Sequence, residues 1–193
     1  MKVLMINGSR RENGCTYTAL TIIKEVLEKE GIECEIFQAG KGFLEGRMNE
    51  AVKEAAEKMS EADGLVVGSP VYYASPSGEL IAFLDRLWPA AGADLAFKPA
   101  VGIASARRAG TTASIDVINK YFMFSQMPVV SSNYWNMVHG NSPEDVLKDS
   151  EGIQIMTNIG KNMAWLLKSI EAGKKAGIEK PESEKKILTN FIR

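Results

Sequence analysis

Two stretches of this sequence combine arginine, glycine and threonine in a way that suits the binding of an anion. They are NGSRRENGCTYT, residues 7–18, and SARRAGTTAS, residues 105–114. Each stretch follows a short apolar run and leads into a helical pattern, so backbone N–H groups at the helix start would face the loop. Together with hydroxyl, amide and guanidinium donors, these groups suit a phosphate. The alternative is a plain turn in which Asn13 or Thr16, or in the second stretch Thr111 or Thr112, caps the helix.

The spacing within the first stretch restricts the kind of phosphate ligand. Gly8 and Gly14 do not have the spacing of the dinucleotide-binding fingerprint. The tripeptide 14–16 is Gly-Cys-Thr, where a P-loop requires Gly-Lys-Ser or Gly-Lys-Thr. The stretch therefore suits one terminal phosphate better than a dinucleotide pyrophosphate or a triphosphate with magnesium.

Two other stretches place aromatic residues after apolar runs. The first, residues 68–78 (GSPVYYASPSG), contains two tyrosines and prolines that restrict the backbone. The second, residues 133–140 (NYWNMVHG), contains a tyrosine and a tryptophan. Taken alone, aromatic residues in a loop serve packing more often than cofactor binding. His139 is the single histidine, which is more often structural than catalytic and cannot assemble a histidine-based metal site.

The elements that would position these four stretches alternate between strand and helix. Gly31 would end the first helix, Pro89 would end the third, and residues 41–50 read as a loop. The helical patterns are marked by Leu20, Ile23 and Leu27; by Val52, Ala55, Ala56 and Met59; by Leu80, Phe83, Leu84 and Leu87; and by residues 115–126 and 151–172. The predicted strands are residues 2–8, 33–38, 64–69, 99–106 and 127–133.

This alternation predicts an α/β fold, a five-stranded parallel sheet with helices on both faces. In such a sheet, ligands bind beyond the carboxyl ends of the strands, near the point where the strand order reverses. Four loops with complementary chemistry would meet at that edge. Because the four loops coincide at this edge, cofactor binding becomes the preferred interpretation of the aromatic stretch 68–78 over packing. The stretch is therefore a candidate wall of a cofactor pocket.

Composition excludes several other classes of protein. The chain has 193 residues, 45% of them hydrophobic and 24% charged, and a net charge of −1, which favours one globular domain and gives no attraction to nucleic acid or an anionic membrane. The first apolar run is too short for a secretory signal or a membrane span, so we expect a cytoplasmic protein. Cys15 and Cys34 are then expected to be free thiols, and a protein-ligated metal is not expected.

The segments KVLMINGSRRENGCT, GLVVGSPVYYASPSG, GIASARRAGTT and NYWNMVHG, in this order and spacing, resemble the flavodoxin-like NAD(P)H-dependent FMN reductases. The branch that contains the iron–sulfur flavoproteins is the most similar. The resemblance implies a flavodoxin-like three-layer sandwich over residues 1–172, which would bind FMN. It leaves residues 173–193 as a C-terminal tail. This tail is either a frayed terminus or a segment that docks on the domain or on a partner subunit through its apolar residues Ile187, Leu188, Phe191 and Ile192. The family usually forms homodimers or homotetramers.

The resemblance also implies which residues surround the cofactor, and it assigns no catalytic side chain. The FMN phosphate would lie among Ser9, Arg11, Asn13, Gly14, Cys15 and Thr16. The isoalloxazine ring would lie against Pro70, Val71, Tyr72, Tyr73 and Ala74, and would be bordered by Ser105, Arg107, Arg108 and Gly110. Tyr134 and Asn136 would lie near the opening of the flavin site, in the same subunit or in a partner.

One departure from the iron–sulfur branch is decisive. That branch carries a compact cysteine cluster after the second strand, whereas residues 38–50 of this chain contain no cysteine. The resemblance therefore implies a flavin-only oxidoreductase, which takes electrons from NADPH or NADH. Its acceptor would be a quinone, a nitro or azo compound, free flavin or a protein. The alternatives are a non-enzymatic electron carrier of the flavodoxin type, a class that is usually shorter and more acidic, and a binding module without flavin.

Overall fold

A parallel β-sheet with helices on both faces organises the chain in the computed structural model, which describes residues 1–182, 184, 187 and 189 but not the side chains of residues 41–43. The strands are β1 (Lys2–Asn7), β2 (Glu33–Gln38), β3 (Gly64–Tyr72), β4 (Ser75–Pro76), β5 (Ala100–Ala106) and β6 (Met137–His139). The helices are α1 (Cys15–Lys29), α2 (Ala39–Leu44), α3 (Met48–Glu61), α4 (Gly78–Ala91), α5 (Thr111–Phe124), α6 (Pro143–Val146) and α7 (Ser150–Lys175), with a 3₁₀ helix at Gly92–Leu95.

The strand order creates a crevice beside β1. The parallel strands follow the order β2-β1-β3-β5-β6, and β4 adds a short antiparallel pairing at the end of β3. From β1 the chain first crosses to β2 on one side and later to β3 on the other. The connections that leave β1 and β3 therefore diverge, which is the arrangement that leaves room for a ligand at the carboxyl ends. The predicted fold class is confirmed, with a sixth strand in addition to the five predicted.

Both faces of the sheet are buried, which explains the continuous apolar runs. In β1, Leu4 and Ile6 join the core cluster that includes residues of α3, α4 and α5. Val3 and Met5 point to the opposite face and join the cluster formed with α1, α6 and α7. Successive side chains of a strand alternate between faces, so a strand covered on both sides must be apolar throughout.

The predicted fifth strand, residues 127–133, is wrong. Only an isolated bridge between Ala100 and Val129 forms there, and the fifth parallel strand is β6. The reason is a competing set of hydrogen bonds to α7. Ser132 Oγ donates to the Ile155 carbonyl oxygen (2.8 Å), and Asn162 Nδ2 donates to the Ser131 carbonyl oxygen (2.8 Å). The chain returns to the edge of β5 only at Met137.

Two other predictions about element boundaries are wrong. Residues 41–50 are not a single loop, because α2 packs against α4 and α3 begins at Met48. Pro89 does not end the third helix but lies inside the last turn of α4, where it removes one intrahelical N–H donor and the helix ends two residues later. The C-cap of α4 is Gly92, whose φ of 51° leaves the helical region.

The C-terminal part of the chain continues as α7 to Lys175. Of the apolar tail residues named above, Leu188, Phe191 and Ile192 lie outside the described residues, and Ile187 is exposed. Among the described residues, none of the helices combines the length and apolar character needed to cross a membrane.

Candidate functional site

The loop between β1 and α1 is held by polar side chains at the ends of two adjacent strands. Asn7 ends β1 opposite Gln38, which ends β2, and Asn7 Nδ2 donates to Gln38 Oε1 at 2.6 Å. Asn7 Oδ1 accepts from the Ser9 N–H (3.1 Å), and Ser9 Oγ accepts from the Arg11 N–H (3.1 Å). Gln38 Nε2 in turn donates to the Ser9 carbonyl oxygen. These bonds fix the course of the backbone from the strand towards the helix.

The start of α1 is not closed by a side chain. Its N-cap is Gly14, with no side-chain hydrogen bond, so the predicted alternative of a cap by Asn13 or Thr16 is wrong. The α5 helix also begins after a glycine, Gly110, with no side-chain cap, and neither Thr111 nor Thr112 serves as one. By contrast, Ser77, Ser142 and Asp149 cap α4, α6 and α7. An uncapped helix start offers its N–H groups to an anion.

Residues of the first turn of α1 reach the neighbouring strands. Thr16 is buried, and its hydroxyl oxygen lies 2.8 Å from that of Ser105 near the end of β5. Cys15 Sγ donates weakly to the Gly140 carbonyl oxygen at 3.7 Å. Partial burial raises the pKa of the Cys15 thiol above its ordinary value. The thiol is therefore a neutral group in this wall of the site at neutral pH.

The aromatic stretch forms a strained hairpin at the end of β3. Tyr73 and Ala74 have φ values of 52° and 57°, a left-handed conformation that costs a residue with a Cβ about 1–2 kcal/mol. The side chain of Tyr73 is fully exposed and that of Tyr72 is partly exposed. Ser69 Oγ accepts from the Ser77 N–H (3.0 Å), and Ser77 Oγ donates to the Gly8 carbonyl oxygen (2.8 Å). The hairpin is thus tied to the first loop, and strain of this kind is typical of functional sites.

The second arginine-bearing loop packs directly on that hairpin. Gly110 has a φ of 95°, and a Cβ on it would lie 2.7 Å from Ala74 Cα and 2.9 Å from Val71 Cγ1. His139 Nε2 donates to the Arg108 carbonyl oxygen at 3.0 Å, since a carbonyl can only accept. The side chains of Arg107 and Arg108 are exposed.

The structure brings most of the predicted site residues to one edge of the sheet. Two exceptions lie before β6 rather than beyond it. Asn136 is buried and its Nδ2 donates to the Gly102 carbonyl oxygen (3.2 Å) in the middle of β5. Tyr134 is exposed and packs edge-on against Trp135, with 4.8 Å between ring centroids. The residues at the shared edge are Ser9, Arg11, Asn13, Gly14, Cys15, Thr16, Pro70, Val71, Tyr72, Tyr73, Ala74, Ser105, Arg107, Arg108 and Gly110.

Sequence reasoning missed the residues that support this edge. Asn7, Gln38 and Ser77 hold the backbone, and Glu79 pairs with Arg10. A usable signal was present for Asn7 and Gln38, because each is a polar residue at or next to the last position of a predicted strand. A cavity of about 700 Å³ lies beside the hairpin and is lined by Arg10, Tyr72, Tyr73, Gly78, Glu79 and Ala82.

The described part of the chain contains no group of three or more His, Cys, Asp or Glu side chains arranged to hold a metal ion. Cys34 is buried in β2, and burial raises the pKa of its thiol to about 12. What the edge does offer is an uncapped helix start near Arg11, a rigid aromatic hairpin and two exposed arginines.

Comparison with known proteins gives a consistent result. The model of a family described as NADPH-dependent FMN reductase matches residues 1–142. An iron–sulfur flavoprotein of Methanocaldococcus jannaschii is 32% identical over 192 residues, covering 89% of this chain and 100% of that protein. An FMN reductase (NADPH) of Escherichia coli is 33% identical over 94 residues, covering 45% of this chain and 48% of that protein. The solved structure of an NADH:FMN oxidoreductase without ligand superposes with a TM-score of 0.65 at 25% identity, covering 86% of this chain and 89% of that one.

Proposed function

Because the chain belongs to the NADPH-dependent FMN reductase family, we propose that it passes electrons from NAD(P)H to a small-molecule acceptor at the loop edge of its sheet. It is an FMN-dependent oxidoreductase with NAD(P)H as the donor. The proposed acceptors are quinones, nitro or azo compounds and free flavin. A partner protein as acceptor is the alternative.

The observation that carries the assignment of the site is the open start of α1. A phosphate dianion there would accept hydrogen bonds from backbone N–H groups at the positive end of the helix. Arg11, Asn13 and Ser9, in the loop before α1, would add side-chain donors, and the Asn7 network holds the backbone of this loop in position. Helices of this chain that have side-chain caps, such as α4 and α7, lack this opening. The residues present therefore fit the phosphate of FMN.

The ring of FMN would lie against the hairpin and the second arginine-bearing loop. When bound there, FMN would supply the redox chemistry, which is the acceptance of a hydride from the nicotinamide and the transfer of electrons to the acceptor. The chain itself positions the ring: Pro70–Ala74 form a rigid wall, and Gly110 allows the loop after β5 to approach that wall closely. Arg107 or Arg108, both exposed at this edge, would stabilise the negative charge that develops on the reduced ring. No acid–base pair is required.

Subunit association and cellular location belong to the proposal. The exposed Tyr134, which packs against Trp135, would contribute to the opening of a flavin site across a homodimer or homotetramer contact. Asn136, which is buried, would support this segment through its bond to Gly102. Two unpaired thiols, Cys15 and Cys34, support a cytoplasmic location. The residues after α7 would form the tail that docks on the domain or on a partner.

Anaerobic stopped-flow mixing of the FMN-loaded protein with NADPH or NADH tests the proposed function. We expect one or both nucleotides to bleach the oxidised flavin absorption, and we expect quinone, nitro or azo compounds or free flavin to restore it. Flavin that binds but is bleached by neither nucleotide would support the electron-carrier alternative instead. A colourless protein that does not quench the fluorescence of added FMN would support a module without flavin.

A further inference from the structure

His139 holds the backbone of residues 107–109, which include two adjacent arginines. These residues lie between Ala106, which ends β5, and Gly110, which precedes α5. His139 Nε2 donates to the Arg108 carbonyl oxygen at 3.0 Å. In the part of the chain that the structure describes, no other hydrogen bond to residues 107–109 is observed. The course of this loop between its two ends therefore depends on His139.

His139 is itself fixed by two neighbouring elements. It lies opposite Ala106 in the pairing of β5 with β6, and its backbone N–H donates to Asp149 Oδ2 at 2.7 Å. The other oxygen of this carboxylate, Oδ1, accepts from the Gly152 N–H (2.9 Å) and caps α7. Asp149 Oδ2 also lies 3.9 Å from His139 Nδ1, which is too far for a hydrogen bond. The end of β6 and the start of α7 thus form a fixed base for the His139 ring.

The residue after His139 contacts the other side of the site. Cys15 Sγ, in the first turn of α1, donates weakly to the Gly140 carbonyl oxygen at 3.7 Å. A Cβ on Gly140 would lie 2.7 Å from the backbone nitrogen of Val146 in α6, so this segment is closely packed. Residues 139–140 therefore contact both the start of α1 and the second arginine-bearing loop.

The support of this loop decides how much its arginines contribute to the site. Arg107 and Arg108 are exposed, and an exposed charge on a loose backbone is weakened by solvent and by the entropy of ordering it. A charge that is held in place beforehand stabilises a developing negative charge more strongly. A hydrogen bond to the Arg108 carbonyl oxygen fixes the backbone from which both guanidinium groups extend.

We propose that His139 is a positioning residue, which holds Arg107 and Arg108 beside the flavin ring and thereby raises the midpoint potential of bound FMN. The inference rests on the proposed function, because it places the ring of FMN beside this loop. His139 acts through the Arg108 backbone and touches neither the cofactor nor the donor. Positive charge near the ring favours its reduced, more negative form, so correct placement of the arginines raises the potential.

Limited trypsin digestion of the FMN-free protein tests whether His139 holds the loop. His139→Phe keeps a ring but removes the donor, so cleavage after Arg107 or Arg108 should become about fivefold faster, as the loss of one hydrogen bond allows. Cleavage after Arg11 in the same digest is the internal control for a general loss of stability. His139→Gln retains an N–H donor and should restore most of the resistance. An unchanged ratio of the two cleavage rates in His139→Phe would overturn the proposal.

A matched variant controls for the loss of any side-chain bond to the backbone. Asn162 Nδ2 donates to the Ser131 carbonyl oxygen at 2.8 Å, away from the loop edge. Asn162→Ala should leave the ratio of cleavage rates unchanged, and the same change in Asn162→Ala as in His139→Phe would contradict a specific role of His139.

The midpoint potential separates positioning from a merely structural role. Dithionite reduction of the FMN-loaded protein with a reference dye measures it without a nucleotide. In His139→Phe, reduced FMN should bind about fivefold more weakly relative to oxidised FMN, which lowers the potential of this two-electron couple by about 20 mV. His139→Gln should stay within about twofold of the unaltered protein. An unchanged potential in His139→Phe, or an equal loss in His139→Gln, would contradict the proposal.

A double-mutant cycle tests whether His139 acts through the arginines. In a protein that carries both Arg107→Ala and Arg108→Ala, the further change His139→Phe should leave the potential unaltered, because nothing remains for it to position. A full additional fivefold effect in that background would overturn the positioning role.

Failure of this inference and failure of the proposed function are distinguishable. If neither NADPH nor NADH reduces the flavin, the proposed function fails, and the dithionite measurement still decides the role of His139. If a nucleotide reduces the flavin and the potential is the same in the unaltered protein and in His139→Phe, the proposed function stands and the positioning role is refuted.

Discussion

Two loops of this protein contain nearly the same residue types and are supported in different ways. Residues 8–14 and 107–110 each carry two adjacent arginines and end at a glycine that starts an uncapped helix. The first loop is fixed by hydrogen bonds from Asn7, Gln38 and Ser77 to its backbone. The second is held by the bond from His139 to Arg108 and by the packing of Gly110 on Ala74.

This difference supports the different roles that we propose for the two loops. A phosphate dianion requires donors in fixed positions, which the first loop provides through its internal hydrogen bonds. The second loop presents its arginines to solvent beside the hairpin, where they can act on the charge of a ring rather than hold a phosphate. The glycines differ as well: Gly14 has a φ of −94°, which any residue adopts, whereas Gly110 at 95° requires glycine.

The largest effect is expected from Gly110→Ala. The left-handed backbone costs about 1–2 kcal/mol and the contact with Ala74 about 1–3 kcal/mol more, so we expect a loss of about 3 kcal/mol in the free energy of unfolding. Urea unfolding of the FMN-free protein measures it. Gly31→Ala is the matched control, because Gly31, which follows α1, also has a positive φ (79°) but nothing within 4 Å of a Cβ. Equal losses in the two variants would show that the approach of the second loop to the hairpin is unimportant.

A smaller effect separates the two loops by FMN affinity. Arg11→Ala should weaken FMN binding about tenfold, because it removes a charged donor to the phosphate. Arg108→Ala, the matched change in the second loop, should alter the affinity by less than about threefold, since surface charges contribute little. Titration of FMN fluorescence quenching gives both values. If Arg108→Ala weakens binding as much as Arg11→Ala, the assignment of the phosphate to the first loop is wrong.

The smallest effect concerns the thiol beside the first loop. Alkylation requires the thiolate, and burial raises the pKa of Cys15, so its rate should be low at neutral pH and rise with pH. Bound FMN should slow the reaction of Cys15 further by covering it. Cys34, whose pKa is raised to about 12, should stay unmodified with or without FMN at mildly alkaline pH. Mass spectrometry after timed alkylation distinguishes the two thiols, and an FMN-independent rate at Cys15 would count against contact with the cofactor.

Sequence patterns predicted the parts of the fold that depend on local chemistry. β2 was placed correctly at residues 33–38. The ends of β1 and β5 were placed within one residue, because their apolar runs between loop signals report burial on both faces. β6 was missed, since residues 127–133 look like a strand and only their hydrogen bonds to α7 remove them from the sheet. That competition between partners depends on tertiary contacts.

The candidate site, like the fold, was predicted where local sequence patterns decide and missed where tertiary contacts decide. The loops that carry arginine, glycine and tyrosine were found because their positions follow from the parallel sheet. The pairing of Arg10 with Glu79 joins residues 69 positions apart, and the contact of Gly110 with Ala74 depends on the turn of the hairpin. Asn136 was predicted near the flavin opening from resemblance, yet its side chain bonds to the backbone of β5, which no sequence pattern indicates.

The comparison of FMN with riboflavin tests the central claim most directly, because riboflavin lacks only the phosphate. If the start of α1 holds the phosphate, the unaltered protein should bind FMN about a hundredfold more tightly than riboflavin. Arg11→Ala should reduce that ratio about tenfold and leave riboflavin affinity unchanged. Equal affinity of the unaltered protein for the two flavins would contradict the claim that the first loop is the phosphate site.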